Sequence, residues 1–439
     1  MHGRKILLVN PWVYDFAAYD LWAKPLGLLY LGAMLRQNGC GVDLIDCLSS
    51  DQPAAKTYGQ GKFRREVVDK PALLKHMHRH YARYGIAVEA FRARLSMLET
   101  PDAVLVTSLM TYWYPGVFEA IRHIKSAFPH TPVVLGGVYA TLCREHAAAN
   151  SGADHIITGE GEVKLMNLLT DLWGVKPDYP PDPDDLDMRP YPCLDLEPSL
   201  RYGCILTSRG CPYRCTYCAA HMMTEGVRRR APHEVAEEIA FWQGRGLKDF
   251  AFYDDALLTQ SESYAAVLLR DIIARRLKVR FHCPNALHAR FITQELAQLM
   301  RAAGFITIRL GLETSDPARQ IASGNKVTTT EFQRAVDNLR QAGYEGSNIG
   351  VYLLCGLPRQ EAGEILEAIR LVRASGARPI LAEYSPIPHT GLWDQAVETS
   401  PYPLAREPLF HNNTLLPCEW TGFTYAMYQE LKHACKEGF

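Results

Sequence analysis

Short apolar runs alternate with amphipathic, clearly punctuated helices along this 439-residue chain, and that alternation leaves few folds open. Ahead of Val175, Lys5–Val9, Val42–Asp46, Ala103–Thr107, Pro132–Leu135 and His155–Ile157 read as strands. "LGLLYLGAMLRQ" (Leu26 to Gln37) reads as a helix stopped by Asn38-Gly39, and a second helix starts near Gly116. Five strands with helices between them predict a doubly wound parallel sheet. After Pro198 the pattern resumes, with strands expected at Cys204–Thr207, Asp249–Tyr253, Val279–Cys283, Ile306–Gly311, Asn348–Leu354 and Pro379–Tyr384. Thr328-x-x-Glu331 is a capping box, Phe332, Val336 and Leu339 follow on one face, and Gly343 stops the helix. Ile365, Ile369 and Val372 repeat the pattern up to Gly376. Six βα units are too few for the eight-stranded closed barrel, so a partial barrel is expected, with its chemistry at the C-terminal ends of the strands.

Other segments break the rhythm. An insertion, 49–101, is polar and helical in pattern; in it His76 and His80 would share a helix face at i, i+4, a zinc-binding spacing with His78 between them and no third ligand in sight. Val175 to Pro198, with Pro177, Pro180, Pro181, Pro183, Pro190 and Pro192 among aspartates, reads as an extended linker that does not pack. The segment from Gly391 is weakly periodic and is expected to cover the barrel's open side. The expected domains are therefore 1–174, a linker at 175–199, a barrel at 200–390 and an extension at 391–439.

Lys+Arg 47 against Asp+Glu 48 gives no global argument for nucleic acid or an anionic membrane, and Arg228-Arg229-Arg230 reads as solvated surface. The opening apolar run, Ile6 to Val9, is too short for a signal peptide, and no stretch reaches transmembrane length, so a cytoplasmic protein is expected. "TYGQGKFRR" (Thr57–Arg65) lacks P-loop spacing and G-x-G-x-x-G is absent, which excludes those phosphate sites.

Twelve cysteines in that compartment are not expected to pair as disulfides, and a close cluster reads as metal-binding or catalytic. "TSRGCPYRCTYC" (Thr207–Cys218) places Cys211, Cys215 and Cys218 as C-x3-C-x2-C directly after the barrel's first strand. Three thiolates suit a catalytic zinc with water as fourth ligand, or three corners of a cubane iron–sulfur cluster with one iron left open. Cys204 lies inside the strand, and the remaining cysteines read as buried thiols.

C-x3-C-x2-C with Tyr217 before its last cysteine, at the head of a partial βα barrel, resembles the radical S-adenosylmethionine (SAM) superfamily. The resemblance implies a 4Fe-4S cluster on Cys211, Cys215 and Cys218 whose open iron is chelated by SAM. It further implies reductive cleavage of SAM to a 5′-deoxyadenosyl radical that takes hydrogen from a substrate. It places Tyr217 against the adenine and offers Asp254, Asp255, Asn285 and Glu313, at strand ends, as SAM contacts, although the usual Gly-Gly-Glu is absent. "CGLPRQ" (Cys355–Gln360) reads as a turn, and "SPIPHTGLW" (Ser385–Trp393) is similar to the end of the sixth strand in relatives. A low-potential donor such as flavodoxin or ferredoxin and a small-molecule or peptide substrate follow from the resemblance, with no nucleic-acid partner and no membrane span.

The doubly wound, Rossmann-like domain ahead of the barrel resembles the cobalamin-binding class of that superfamily, through "LGLLYLGAMLRQNG", "VVLGG" and "TGEGE". The resemblance implies cobalamin contacts at Ser108, Gly136, Gly137 and Glu160. Asp-x-His-x-x-Gly is missing; the loop after the first strand, "NPWVYDFAAYDLW", offers no histidine to cobalt. "TYWYPG" (Thr111–Gly116) would flank the corrin or the substrate, or pack the core. The leading expectation is a methyltransferase acting on an unactivated carbon or phosphorus. A radical SAM enzyme without methyl transfer, with or without cobalamin, and a non-catalytic metal-binding protein remain as alternatives.

Overall fold

The computed structural model describes residues 1–49 and 57–436. The chain divides into two compact units, Met1–Arg201 with Met222–Thr224, and Tyr202–His221 with Glu225 onward.

In the first unit, β1 (Lys5–Asn10), β2 (Gly41–Asp46), β3 (Ala103–Val106), β4 (Val133–Leu135) and β5 (His155–Ile156) form one parallel sheet in the order β5-β4-β3-β1-β2. Ile6, Leu7, Leu8 and Val9 are all buried, so β1 is covered on both faces, as a parallel sheet between helix layers requires. Strand order reverses between β1 and β3, which makes their C-terminal ends the ligand crevice of this fold. Helix Leu26–Gln37 has the bounds expected from its sequence.

The insertion differs from expectation. Residues 50–56 lie outside those described; beyond them Arg65–Val68 and Tyr81–Tyr84 join Val13–Asp15 in a three-stranded antiparallel sheet, and the helix of the region is Val88–Met97. Every residue of "YARY" (Tyr81–Tyr84) is buried, and its aromatics suit a strand better than a helix. His76, His78 and His80 are exposed and lie outside any helix, so the i, i+4 face for zinc does not exist. The proline-rich stretch is irregular yet packed, against the expectation of a loose linker. Leu186, Cys193 and Leu194 are buried, Lys24 pairs with Glu197, and the Arg36 guanidinium donates to Asp195 at 2.7 Å. Proline removes backbone donors but does not prevent side-chain burial.

In the second unit, β6 (Gly203–Ile205), β7 (Asp249–Phe252), β8 (Arg280–His282), β9 (Phe305–Glu313), β10 (Ile349–Cys355) and β11 (Arg378–Glu383) are parallel and adjacent in chain order. β6 and β11 do not pair, so the sheet is an open, partial barrel. The Thr328–Glu331 capping box forms as expected. The arginine run is not solvated surface: Arg230 is buried against Glu238, and Arg229 lies over the Tyr264 ring. Past β11, helix Tyr425–Lys436 packs on β11 and on helix Ala362–Ala374. Among the described residues no helix is long and apolar enough to cross a membrane.

Candidate functional site

The cysteine loop begins where β6 ends, and Asp254 fixes that beginning. Its carboxylate accepts from the Thr207 amide at 3.1 Å, the Thr207 hydroxyl at 2.7 Å and the Ser208 hydroxyl at 2.6 Å. Burial pushes its pKa up, opposed by these same donors. Gly210 then turns the chain with a φ of 81°. The loop is gripped again further on: the Thr216 amide donates to the Ser323 carbonyl at 3.2 Å, and the Leu392 amide to the Thr216 carbonyl at 2.9 Å. Gly324, with a φ of 115°, lies so close that a Cβ there would stand 3.1 Å from the Cys215 Cα.

Burial raises the pKa of all three thiols, that of Cys218 to about 11, and Cys218 also feels the charges of Cys215 and Cys211. Thiols that resist ionisation one by one need a strongly cationic partner to become ligands. Among the described residues no three His, Cys, Asp or Glu side chains are arranged to hold one metal ion. Three thiols within each other's field suit a cubane, in which each thiolate takes its own iron. Cys204 is buried in β6 and paired opposite Ala251, away from the loop.

Around this loop stand the other strand-end groups. The Tyr217 hydroxyl, its pKa raised by burial, lies within the field of the Cys215 sulfur. Glu313 takes a φ of 65° at a register shift between β9 and β10, and its carboxylate accepts from Lys326 at 3.1 Å. A Cβ at Gly311 would stand 2.5 Å from the Glu313 Oε1 and 2.9 Å from the Lys326 Nζ, so glycine seats the pair. Burial works against the Lys326 ammonium, yet Glu313, Cys215 and Cys211 together hold its pKa above the ordinary value. Lys326 was not expected from sequence: it stands in "SGNK", three residues before helix Thr329–Gln341, with no motif to mark it. Asn285 is exposed and donates to the Tyr253 carbonyl at 3.0 Å, bracing the end of β8 to that of β7. Asp255 keeps an open side, but protein crowded around the rest of it, with Asp254 adjacent, pushes its pKa up to about 6. The structure thus brings Tyr217, Asp255, Asn285 and Glu313 to the strand ends around the thiols and commits Asp254 to the loop itself.

In the first unit, Ser108 follows β3 and is buried. Its hydroxyl donates to the Gly136 carbonyl at 2.7 Å and accepts from the Ala140 amide at 3.2 Å. Gly137, with a φ of 97°, would drive a Cβ to 2.2 Å from the Ser108 carbonyl oxygen. At Gly136 a Cβ would meet only the Ile157 carbonyl, at an ordinary 3.7 Å, so packing does not demand glycine there. The Glu160 carboxylate accepts from the Thr224 hydroxyl at 2.7 Å. Of the "TYWYPG" aromatics, Trp113 donates to Asp15 at 2.7 Å and Tyr114 stacks on Tyr139 with ring centres 5.7 Å apart, which is packing. What remains at the ends of β3 and β4 is half-buried glycine backbone beside half-buried Leu109 and exposed Met110. Loops 10–16, 107–112, 136–142 and 157–162 contain no histidine. These residues fit a corrin held on backbone and apolar surface, with no imidazole from these loops on cobalt.

The model of the radical SAM superfamily matches residues 205–372, and that of the B12 binding domain matches residues 76–169. An uncharacterized methyltransferase, PH0819, of Pyrococcus horikoshii is 23% identical, over all of this chain and 90% of that protein. The cytidylyl-2-hydroxyethylphosphonate methyltransferase of Streptomyces wedmorensis is 21% identical, over 84% of this chain and 76% of its own. Among solved structures, the radical SAM methyltransferase TsrM from Kitasatospora setae, with cobalamin and a 4Fe-4S cluster bound, superposes with a TM-score of 0.68 at 19% identity, over 92% of this chain and 76% of that one. The cobalamin-dependent radical enzyme OxsB, with aqua-cobalamin and SAM bound, gives 0.61 at 15%, over 96% and 57%. At such identities the two structures speak for the fold.

Proposed function

We propose, since this chain belongs to the radical SAM superfamily and to its class with an N-terminal cobalamin-binding domain, that it methylates an unactivated carbon or phosphorus of a small molecule. The observation that carries the reading is the clamped loop of Cys211, Cys215 and Cys218 at the head of an open barrel, in a chain whose first unit is a doubly wound sheet. The long alignments with proteins named methyltransferases support the reaction class.

When bound, the cluster supplies one electron to SAM and an open coordination site for it, and cobalamin supplies methyl transfer. The chain's own residues do the holding. Cys211, Cys215 and Cys218 ligate the cluster. Asp254 keeps the loop in place by fixing Thr207 and Ser208, and the turn at Ser323 and Gly324 closes on Cys215 and Thr216. Lys326 lends positive charge to a loop that becomes anionic when its thiols ionise. Tyr217, Asn285, Asp255 and Glu313 would hold SAM when it is bound, with an aromatic ring, an amide and two carboxylates. Asp255, with its pKa near 6, holds or releases a proton close to neutral pH. In the first unit Ser108, Gly136, Gly137 and Glu160 shape the corrin shelf. A one-electron donor of flavodoxin or ferredoxin type completes the system, and a reducing cytoplasm suits a chain with twelve thiols.

Anaerobic protein reconstituted with iron, sulfide and hydroxocobalamin, then given dithionite and SAM, tests this. Methyl transfer predicts both 5′-deoxyadenosine and S-adenosylhomocysteine among the products. 5′-Deoxyadenosine alone, from protein that holds corrin, would leave a radical enzyme that does not methylate.

A further inference from the structure

The interior face of the barrel carries two arginines that, among the described residues, have no carboxylate partner. Along β9 the side chains of Ile308, Leu310 and Leu312 are buried on the helix-covered face, which leaves Arg309, Gly311 and Glu313 on the inner one. β9, β10 and β11 are in register there, Arg309 opposite Gly350 and Gly350 opposite Arg378, so all three positions present the same face. Tyr352 follows on that face, one inward position above Gly350.

Arg309 is held in place rather than free to swing. A Cβ at Gly350 would stand 2.8 Å from its Nη1 and 2.9 Å from its Cδ, so its stem lies flat across β10 only because residue 350 is glycine. Nη1 donates to the Ile308 carbonyl at 2.9 Å. The Tyr352 hydroxyl lies within the field of Arg309 and donates to the Pro284 carbonyl at 3.1 Å. Among the described residues neither Arg309 nor Arg378 pairs with an acid, and the two cations lie within each other's field. Both are half-buried, open enough to be reached. The acid nearest in that direction, Glu313, is occupied by Lys326. Burial and the neighbouring Arg378 depress the pKa of Arg309, as expected for a cation short of an anion.

Partly buried guanidinium groups are costly without a counter-charge, and their planar fork matches an oxyanion. We propose that Arg309 and Arg378 bind the carboxylate, phosphate or phosphonate group of the substrate inside the barrel. The substrate is then an anionic small molecule, and its charged end lies on the β9–β11 wall. This rests on the function proposed above, with the chemistry at the barrel mouth and the substrate's charged end set deeper, since Gly350 and Arg378 lie near the starts of β10 and β11.

Calorimetric titration of the reconstituted holoenzyme with methylphosphonate and with acetate tests it. Saturable, millimolar binding is expected, about tenfold weaker in Arg309→Gln and partly restored in Arg309→Lys, which keeps the charge without the fork. Arg378→Gln should weaken it less, and Gly350→Ala should weaken it by displacing Arg309. Iron content and visible spectrum report whether each variant is folded, and Arg309→Lys stands in if the glutamine variant is not. Tighter binding of methylphosphonate than acetate assigns a phosphonate or phosphate; the reverse assigns a carboxylate. Equal affinities in wild type and Arg309→Gln, or no saturation by the wild type up to about 50 mM, overturn the inference. SAM cleavage by the wild type decides the proposed function separately: cleavage without oxyanion binding defeats this inference alone, whereas oxyanion binding without cleavage defeats the function.

Discussion

The strand-end loops of the two parallel sheets use similar parts to opposite ends. After β3 and β4, polar groups turn inward: the Ser108 hydroxyl bridges Gly136 and Ala140, and Gly137 lets its turn close on the Ser108 carbonyl. The outward remainder is backbone and apolar side chain. After β6 and β9, charged groups line the mouth half-buried, and a second set of residues seats them. Asp254 fixes the start of the cysteine loop, while Gly311 makes room for Lys326 and Glu313. A large ligand is met there by a shelf that spends its polar side chains internally and offers it backbone. A charged cluster needs a mouth that keeps them available.

Substituting the thiols tests that contrast most severely. Cys211→Ala, Cys215→Ala or Cys218→Ala should abolish iron binding and SAM cleavage while corrin binding persists; iron assay and absorbance near the corrin bands measure both. Asp254→Ala leaves the Thr207 amide and two hydroxyls buried without their acceptor. A loss of about 3 kcal/mol in denaturant unfolding is expected, with poor cluster retention, and a neutral result would mean Asp254 does not brace the loop. In the other sheet, Gly137→Ala forces a Cβ against the Ser108 carbonyl at positive φ and should cost about 2 kcal/mol together with corrin affinity, whereas Ser108→Ala should cost about 1 kcal/mol.

The smallest effect is expected next door to Asp254. Asp255 has a folded pKa raised from 3.8 to about 6, so its contribution is present in acid and lost as pH rises through about 6. Asp255→Asn lacks that loss, and its stability relative to wild type should rise between about pH 4 and pH 6 and level off above. Identical pH profiles would show that the carboxyl is not crowded as described.

The eleven strands were legible because buried parallel strands carry short apolar runs and their helices carry caps; observed ends fall within about two residues of those expected. The cysteine loop was legible because its ligands are local, separated by three and two residues. The insertion was misread because "YARY" pairs with Val13–Asp15, more than sixty residues away, and helical pattern says nothing about such a partner. The linker was misread because prolines announce irregular backbone, while its burial depends on Leu29 and Lys24 far upstream.

By itself the sequence determined two successive βα alternations and three thiols at one strand end, because period, caps and ligand spacing are properties of neighbouring residues. Only the tertiary structure decided that Asp254 braces while Asp255 stays open, that Lys326 lies within the field of the thiols, and that, among the described residues, Arg309 and Arg378 share one inner face without an acid partner. Those facts follow from strand register and from space left by Gly311 and Gly350, and register joins residues that the chain keeps tens of positions apart.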